Sequence, residues 1–255
     1  MKPIRTAEDE QLIAQFSELT DRLDRLIRNG GPRRTVERAA DDLIAQIELL
    51  SSAYLTTELS RHFKRGSNYA IEDLAKVAKE VDTSFSDIHT ELVQQQANQL
   101  QESYATAIGG VRRNVKTAIG AGVTAAILSA LRGGNSDTNV DVRSINIGGR
   151  NWNLEHYLSM ATYTASAQTQ NLGAAVRYMQ NDVKYFRRIE RASAPDRLCQ
   201  WARNKIFSFD MTEFIGALHP NCFGGIEPVQ KQTGEVISSF DQVPNDVQKL
   251  IRKFN

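Results

Sequence analysis

Apolar residues recur at spacings of three and four through the first half of the chain, and alternate with polar ones only beyond residue 140. Leu12, Ile13, Phe16, Leu19, Leu23, Leu26 and Ile27 form one stripe, the mark of a helix with a single buried face. Asn29-Gly30-Gly31-Pro32 interrupts it by backbone chemistry alone. A second stripe runs through Val36, Ala39, Ala40, Leu43, Ile44, Ile47, Leu49, Leu50, Ala53 and Tyr54. Gly66-Ser67-Asn68 predicts a loop, and 71–81 a short helix. The longest predicted helix covers 86–115, where Ile88, Leu92, Leu100, Tyr104, Ile108, Val111 and Val115 keep a period near four. Gln and Asn fill its other faces, so the stripe is narrow, as in a bundle or a coiled-coil-like seam.

The texture then changes. Arg132-Gly133-Gly134-Asn135-Ser136-Asp137 predicts a loop. Val140-Asp141-Val142 and Ser144-Ile145-Asn146-Ile147 alternate as half-buried strands do, and Gly148-Gly149 suits a tight hairpin turn before Arg150-Asn151-Trp152-Asn153-Leu154. A helix is predicted over 155–180, a strand over 184–190, a returning strand or two at Ile226, Val229, Val236 and Ile237, and a closing helix over 247–254. The predicted fold class is mainly α with a smaller α+β part. A long-helix N-terminal bundle (1–135), suited to docking, precedes a hairpin-helix-strand domain (136–255) with a Cys/His knuckle.

Composition narrows the function classes. The 255 residues carry a net charge of +1, with 41% hydrophobic and 24% charged, so no global field draws the protein onto nucleic acid or anionic lipid. Two cysteines are too few for a disulfide-stapled scaffold. The first ten residues lack the apolar core of a signal peptide, and the expectation is a chain made in a reducing cytoplasm. Segment 117–131 is uncharged but short for a membrane span. Its small residues suit a buried, tightly packed helix, so no stable span is expected.

Soft titratable side chains converge in one place: Asp196-Arg197-Leu198-Cys199 and His219-Pro220-Asn221-Cys222, separated by an excursion through Gln200-Trp201 and Ile206-Phe207-Ser208-Phe209. Three chemistries are open there. Cys199, His219 and Cys222 have zinc-ligand character, but Ala202 stands where a Cys-x-x-Cys half-site would place a fourth ligand, and an acidic Asp196 would be an uncommon substitute. A Cys199–His219 pair is the skeleton of a thiol nucleophile, which needs a lowered thiol pKa. The third reading, and the one the residues favour, is a structural knuckle of Asp196, Cys199, His219 and Cys222, closed by packing or a crosslink, with no metal, cofactor or catalytic residue. His62, His89 and His156 stand singly on helical faces. Arg61, Lys64, Arg65, Arg112 and Arg113 are candidate phosphate contacts, though without aromatic interleaving or a groove motif a solvated face is the favoured reading of such clusters. Lys116 and the pair Arg187-Arg188 are read the same way. No phosphate loop, dinucleotide fingerprint or HExxH is present.

Three segments resemble the C-terminal domain of phage head-morphogenesis proteins, the minor capsid family typified by the F protein of phage Mu. The first is Gly149-Arg150-Asn151-Trp152-Asn153-Leu154-Glu155-His156-Tyr157, leading into a helix rich in Ala and Thr. The second is Arg188-Ile189 leading to Asp196-Arg197-Leu198-Cys199; the third is Ile206-Phe207-Ser208 with Leu218-His219-Pro220-Asn221-Cys222. Together they span about a third of the chain. The departures are Ala202, where that family often has a second cysteine, and Phe223, where it often has Arg or His. The resemblance implies a non-enzymatic virion protein at the portal or inner head surface. Its implied partners are the portal protein, major capsid or scaffold proteins and packaged DNA, and its implied roles lie in assembly, DNA packaging or ejection. The alternatives are a toxin-like or thiol-hydrolase enzyme using Cys199 and His219, and an internal DNA-binding virion protein.

Overall fold

The computed structural model describes residues 6–29, 32–77, 80–84, 87–132, 144–147, 149–194, 196–230 and 234–254. The expected breaks at Gly30-Gly31 and at 133–137, the strand at Val140-Asp141-Val142, the first glycine of the hairpin turn and the boundary near 135 lie outside them. The chain is mainly α, with a smaller α+β part toward its C-terminus. In order it forms α1 (Ala7–Arg28), α2 (Arg33–Ala75), α3 (Asp87–Arg132), β1 (Ser144–Ile147), β2 (Arg150–Asn153), α4 (Leu154–Gln180), β3 (Tyr185–Ile189), α5 (Arg197–Ala202), β4 (Ile206–Ser208), β5 (Gly225–Val229), β6 (Val236–Ile237) and α6 (Asn245–Phe254). Among the described residues, no helix is long and apolar enough to cross a membrane. The backbone of 117–131 continues α3, while the packing expected of that stretch concerns side chains outside the described set.

Contacts gather the chain into two compact units, each discontinuous in sequence. One is built from Ala7–Tyr54 and Gln101–Met160, the other mainly from Leu55–Leu100 and Ala161–Asn255. In the first, the predicted stripe of α1 is buried through Leu12, Ile13, Phe16 and Leu23. Phe16 meets Tyr104 of α3 edge-on at 5.6 Å, and the Tyr54 hydroxyl donates to Asp9 at 2.5 Å. Glu8, Asp9 and Glu10 place negative charge in the first turn of α1, where the helix dipole favours it. The hairpin β1–β2 pairs Ile147 with Arg150, and Gly149 takes φ 78° in its turn. Leu49 departs from its predicted stripe and is 70% exposed.

The second unit packs around α4 and a sheet of order β5-β3-β4-β6, in which β3 runs antiparallel to both neighbours and β4 parallel to β6. Within 161–178, only Thr164, Gln168 and Leu172 reach partial exposure. A helix buried on nearly every side needs small residues so that neighbours can approach, and α4 is rich in Ala, Ser, Thr and Gly there. Its hydroxyls find partners inside the helix, Ser166 donating to the Thr162 carbonyl at 3.0 Å and Thr169 to that of Ala165 at 2.7 Å.

Gly66 and Gly173 mark where α2 and α4 touch backbone to backbone. A Cβ on Gly66 would fall 1.8 Å from the Gln170 carbonyl oxygen, and one on Gly173 would fall 2.1 Å from that of Phe63. The loop predicted at Gly66-Ser67-Asn68 is therefore uninterrupted helix: α2 runs through it to Ala75, and the glycine serves close approach rather than a turn. Polar residues at this contact are matched in pairs. His62, 1% exposed, meets Gln170 at 2.8 Å, and Arg177 donates to Ser67 at 3.0 Å and to the carbonyls of Asp82 and Ser84 at 2.9 and 3.0 Å. His89 is also buried, edge-on to Phe63.

Gly66→Ala and Gly173→Ala are expected to lower the unfolding free energy by about 2–3 kcal/mol, the cost of forcing two backbones apart. Gly109→Ala, whose added methyl meets nothing closer than the Arg113 guanidinium at 3.6 Å, should leave stability unchanged or raise it by up to about 1 kcal/mol through helix propensity. Urea titrations of the three variants distinguish the cases.

Candidate functional site

Strand β3 brings the first component. Its inward face carries Phe186, Arg188 and, just past its end, Glu190, all buried. The Arg188 and Glu190 side chains are 0% and 3% exposed, and Arg188 Nε donates to Glu190 Oε1 at 2.7 Å. The Arg188 fork then reaches across to a segment without strands: Nη1 donates to the carbonyls of Phe214, Ile215 and Gly216 at 3.0, 3.1 and 2.7 Å, and Nη2 lies 3.5 Å from Cys222 Sγ. A Cβ on Gly224 would fall 1.9 Å from Glu190 Oε1, so only glycine leaves room for that carboxylate.

Helix α5 brings the second. Asp196 is its N-cap: its Oδ1 accepts from the Leu198 backbone N–H at 2.7 Å. Asp196 thus belongs to the knuckle as the group that starts the helix, with its carboxylate spent on the cap. Leu198 and Cys199 are buried in the first turn of α5 and Ala202 at its end. Asn204, at φ 62°, turns the chain out of α5, and its N–H donates to the Arg188 carbonyl at 2.8 Å.

The third component is the turn His219-Pro220-Asn221-Cys222. Cys222 N–H donates to the His219 carbonyl at 3.0 Å. Pro220 fits the second position of that turn and Asn221, at φ 63°, the third, as a type II turn requires. Asn221 N–H donates to Thr164 Oγ1 at 3.0 Å, fastening the turn to α4.

These components meet. Cys199 Sγ lies 3.0 Å from His219 Nε2 and 3.7 Å from Cys222 Sγ, and the three ligand atoms fall within 4.8 Å of one another. His219 Nδ1 stands 2.7 Å from the Pro220 carbonyl oxygen. An oxygen there can only accept, so Nδ1 carries a proton and Nε2 is the ring nitrogen turned toward Cys199. Both cysteines are free and 2% exposed; a disulfide at about 2.05 Å would need the sulfurs to close in.

The two thiols are shifted in opposite directions. The Cys222 thiol is pushed down to about 4, first by the hydrogen bond from Cys199, then by the Arg188 guanidinium and the backbone N–H groups of Gly224 and Leu218. Cys199 is pushed up by the same sulfur–sulfur bond, by burial and by the charges of Cys222 and Glu190. Glu190 is itself raised, by burial first, with Arg188 opposing. A thiol nucleophile needs the opposite arrangement at the cysteine facing the imidazole. Here that cysteine's thiol is pushed up, and the one pushed down lies buried beside a guanidinium.

The structure brings together Asp196, Cys199, His219 and Cys222. The candidate phosphate contacts lie elsewhere: Arg61, Lys64 and Arg65 are exposed on α2, with Arg61 donating to Glu58 at 2.6 Å, and Arg112 and Arg113 are exposed on α3. His156 is exposed as well. Of the pair read as a solvated basic cluster, Arg187 does face outward, to Glu227 at 2.9 Å, but Arg188 is fully buried. The signal for it was available: alternation along β3 puts Arg188 and Glu190 on the face of Phe186, which no strand would expose.

No family model, curated protein or solved structure matches the chain.

Arg188→Met is expected to cost about 3–5 kcal/mol, because it leaves Glu190 buried and unpaired. Arg188→Lys should recover less than half, since an ammonium cannot reproduce the fork. Urea unfolding reads the loss, and faster reaction of Cys199 and Cys222 with Ellman's reagent below the unfolding midpoint would show that the knuckle opens first.

Proposed function

We propose that this chain is a non-enzymatic minor capsid or head-morphogenesis protein of a bacteriophage. It associates with the portal vertex or the inner head surface during assembly, DNA packaging or ejection. The observation that carries this reading is the bonding between two segments of the phage resemblance. Arg188 and Cys199, from its second segment, meet Cys222 and His219, from its third. Residues distant in sequence that carry a likeness in the expected order also form one buried polar cluster, as an ancestral fold element would. Both sulfurs are buried and the Cys199 thiol is pushed up, which suits a fold-organising knuckle better than a reaction centre. The outer faces of the long helices, with Leu49 exposed on α2, would be the surfaces that pack against portal, capsid or scaffold proteins. The exposed Arg61, Lys64, Arg65, Arg112 and Arg113 are the groups that would contact packaged DNA.

Mass spectrometry of purified procapsids and virions, from the phage or prophage that encodes the chain, is expected to find the 28.5 kDa protein in few copies alongside portal. Its absence from both particles would overturn the reading.

The Cys199–His219 contact of 3.0 Å also favours a second reading, a thiol hydrolase or toxin-like enzyme. The two separate on Cys199→Ser. A structural knuckle predicts particles that still assemble, with lowered stability of the protein; a hydrolase predicts intact assembly with complete loss of a host-directed activity that the wild-type chain must first display.

A further inference from the structure

An assembly role does not require two sulfurs and an imidazole to face one another, and their arrangement supports an inference independent of that role. The geometry points to Cys199, Cys222 and His219 as the three protein ligands of one zinc ion, with the fourth position left to water. Two sulfurs bound to a tetrahedral zinc at about 2.3 Å stand about 3.8 Å apart, and here they stand 3.7 Å apart. The Cys199 sulfur–nitrogen pair, 3.0 Å apart in a hydrogen bond, would open to about 3.6 Å to admit the ion, and the Cys222 sulfur and that nitrogen, within 4.8 Å of each other, would settle at the same separation.

The histidine is already oriented for the task. Nδ1–H is held by the Pro220 carbonyl, which fixes the tautomer and leaves Nε2 as the ligand atom, the usual outer arrangement of a metal-bound imidazole. That hydrogen bond comes from the same tight turn that presents Cys222, so two of the three ligands are placed by one rigid element. The third sits in the first turn of α5, placed there by the Asp196 cap.

Charge bookkeeping agrees. A divalent ion with two thiolates is neutral, and the remaining buried charges, Arg188 and Glu190, already neutralise each other. Glu190 stands beside Cys199 but its Oε1 is committed to Arg188, and Ala202 is a fully buried methyl. Among the described residues, the cluster of ligand atoms holds these three and no fourth. His219 is partly exposed while both cysteines are buried, which leaves the histidine side as the route for the ion and its water. Two thiolates and one imidazole select zinc over the harder magnesium and calcium. Bound there, the ion would crosslink α5 to the His219–Cys222 turn.

The test uses the full chain, reduced with a phosphine and stripped with EDTA, then titrated with cobalt(II) chloride and back-titrated with zinc chloride. One cobalt per chain is expected, with visible bands of a tetrahedral site and a near-ultraviolet sulfur-to-cobalt band, all abolished by one equivalent of zinc. Zinc should also raise Tm, and EDTA should reverse the rise. Because Cys222→Ser sits in the core and risks misfolding, His219→Gln is the deciding variant: it should keep the wild-type circular dichroism and lose at least tenfold in zinc affinity. Cobalt bound without the sulfur band, adventitious surface binding only, would overturn the site. So would a folded His219→Gln variant that binds zinc as tightly as wild type.

Discussion

Arg188 carries its charge into a region with no solvent to receive it, and the second unit is arranged around that fact. The chain between β4 and β5 contains a single turn of 3₁₀ helix and little other regular structure, so its carbonyls cannot be satisfied by a ladder. Three of them, from Phe214, Ile215 and Gly216, converge on one guanidinium nitrogen. The same side chain pairs with Glu190 and reaches Cys222. An irregular segment thereby acquires a fixed conformation from a neighbouring strand. Gly224 is constrained by the pair, since a side chain there would meet the Glu190 carboxylate, and the same guanidinium helps push the Cys222 thiol down. In a low-dielectric interior such a network is stabilising only when every member is satisfied, and here each of the groups named has a partner.

The aromatic core beneath this network has the complementary property of needing no partners beyond contact. Phe207 stacks on Phe186 and Phe214 at 5.6 and 4.4 Å, and Trp201 of α5 packs against both Phe207 and Phe214. The strand-borne rings thus hold α5 and the 3₁₀ turn in register, while Arg188 anchors the backbone that follows the turn. Apolar area provides the bulk of the stabilisation; the buried charges specify which loop conformation receives it.

Elements with strong periodicity were legible in the sequence. The stripes of α1 and α3, the hairpin, α4, β3 and α6 all lie close to where spacing placed them, because burial of one face writes directly into residue order. What escaped was governed by contacts between distant parts of the chain. Gly66 reads as a breaker when only its neighbours are considered, and becomes a helix residue once α4 presses against it. Asp196 reads as a weak ligand candidate because Asp favours both metals and N-caps, and only the position of α5 decides. Arg188 looked solvated because arginine usually is, though the alternation of β3 contradicted that. The meeting of Cys199, His219 and Cys222 was anticipated from their types. The partner of each sulfur was not, since it depends on a turn whose shape is set by Asn221 and Thr164.

Both compact units draw on sequence from either side of the other, with Leu55–Leu100 waiting for Ala161–Asn255. On a ribosome this imposes an order. The segment carrying the second half of α2 emerges well before α4, and the strands it shares a core with come later still. At about 5–20 residues per second, the Gly66 surface stays uncovered for roughly five to twenty seconds. Its apolar neighbours, Phe63 and Ala70 among them, are therefore nascent-chain surface for that interval, left without their cover until the central helix arrives.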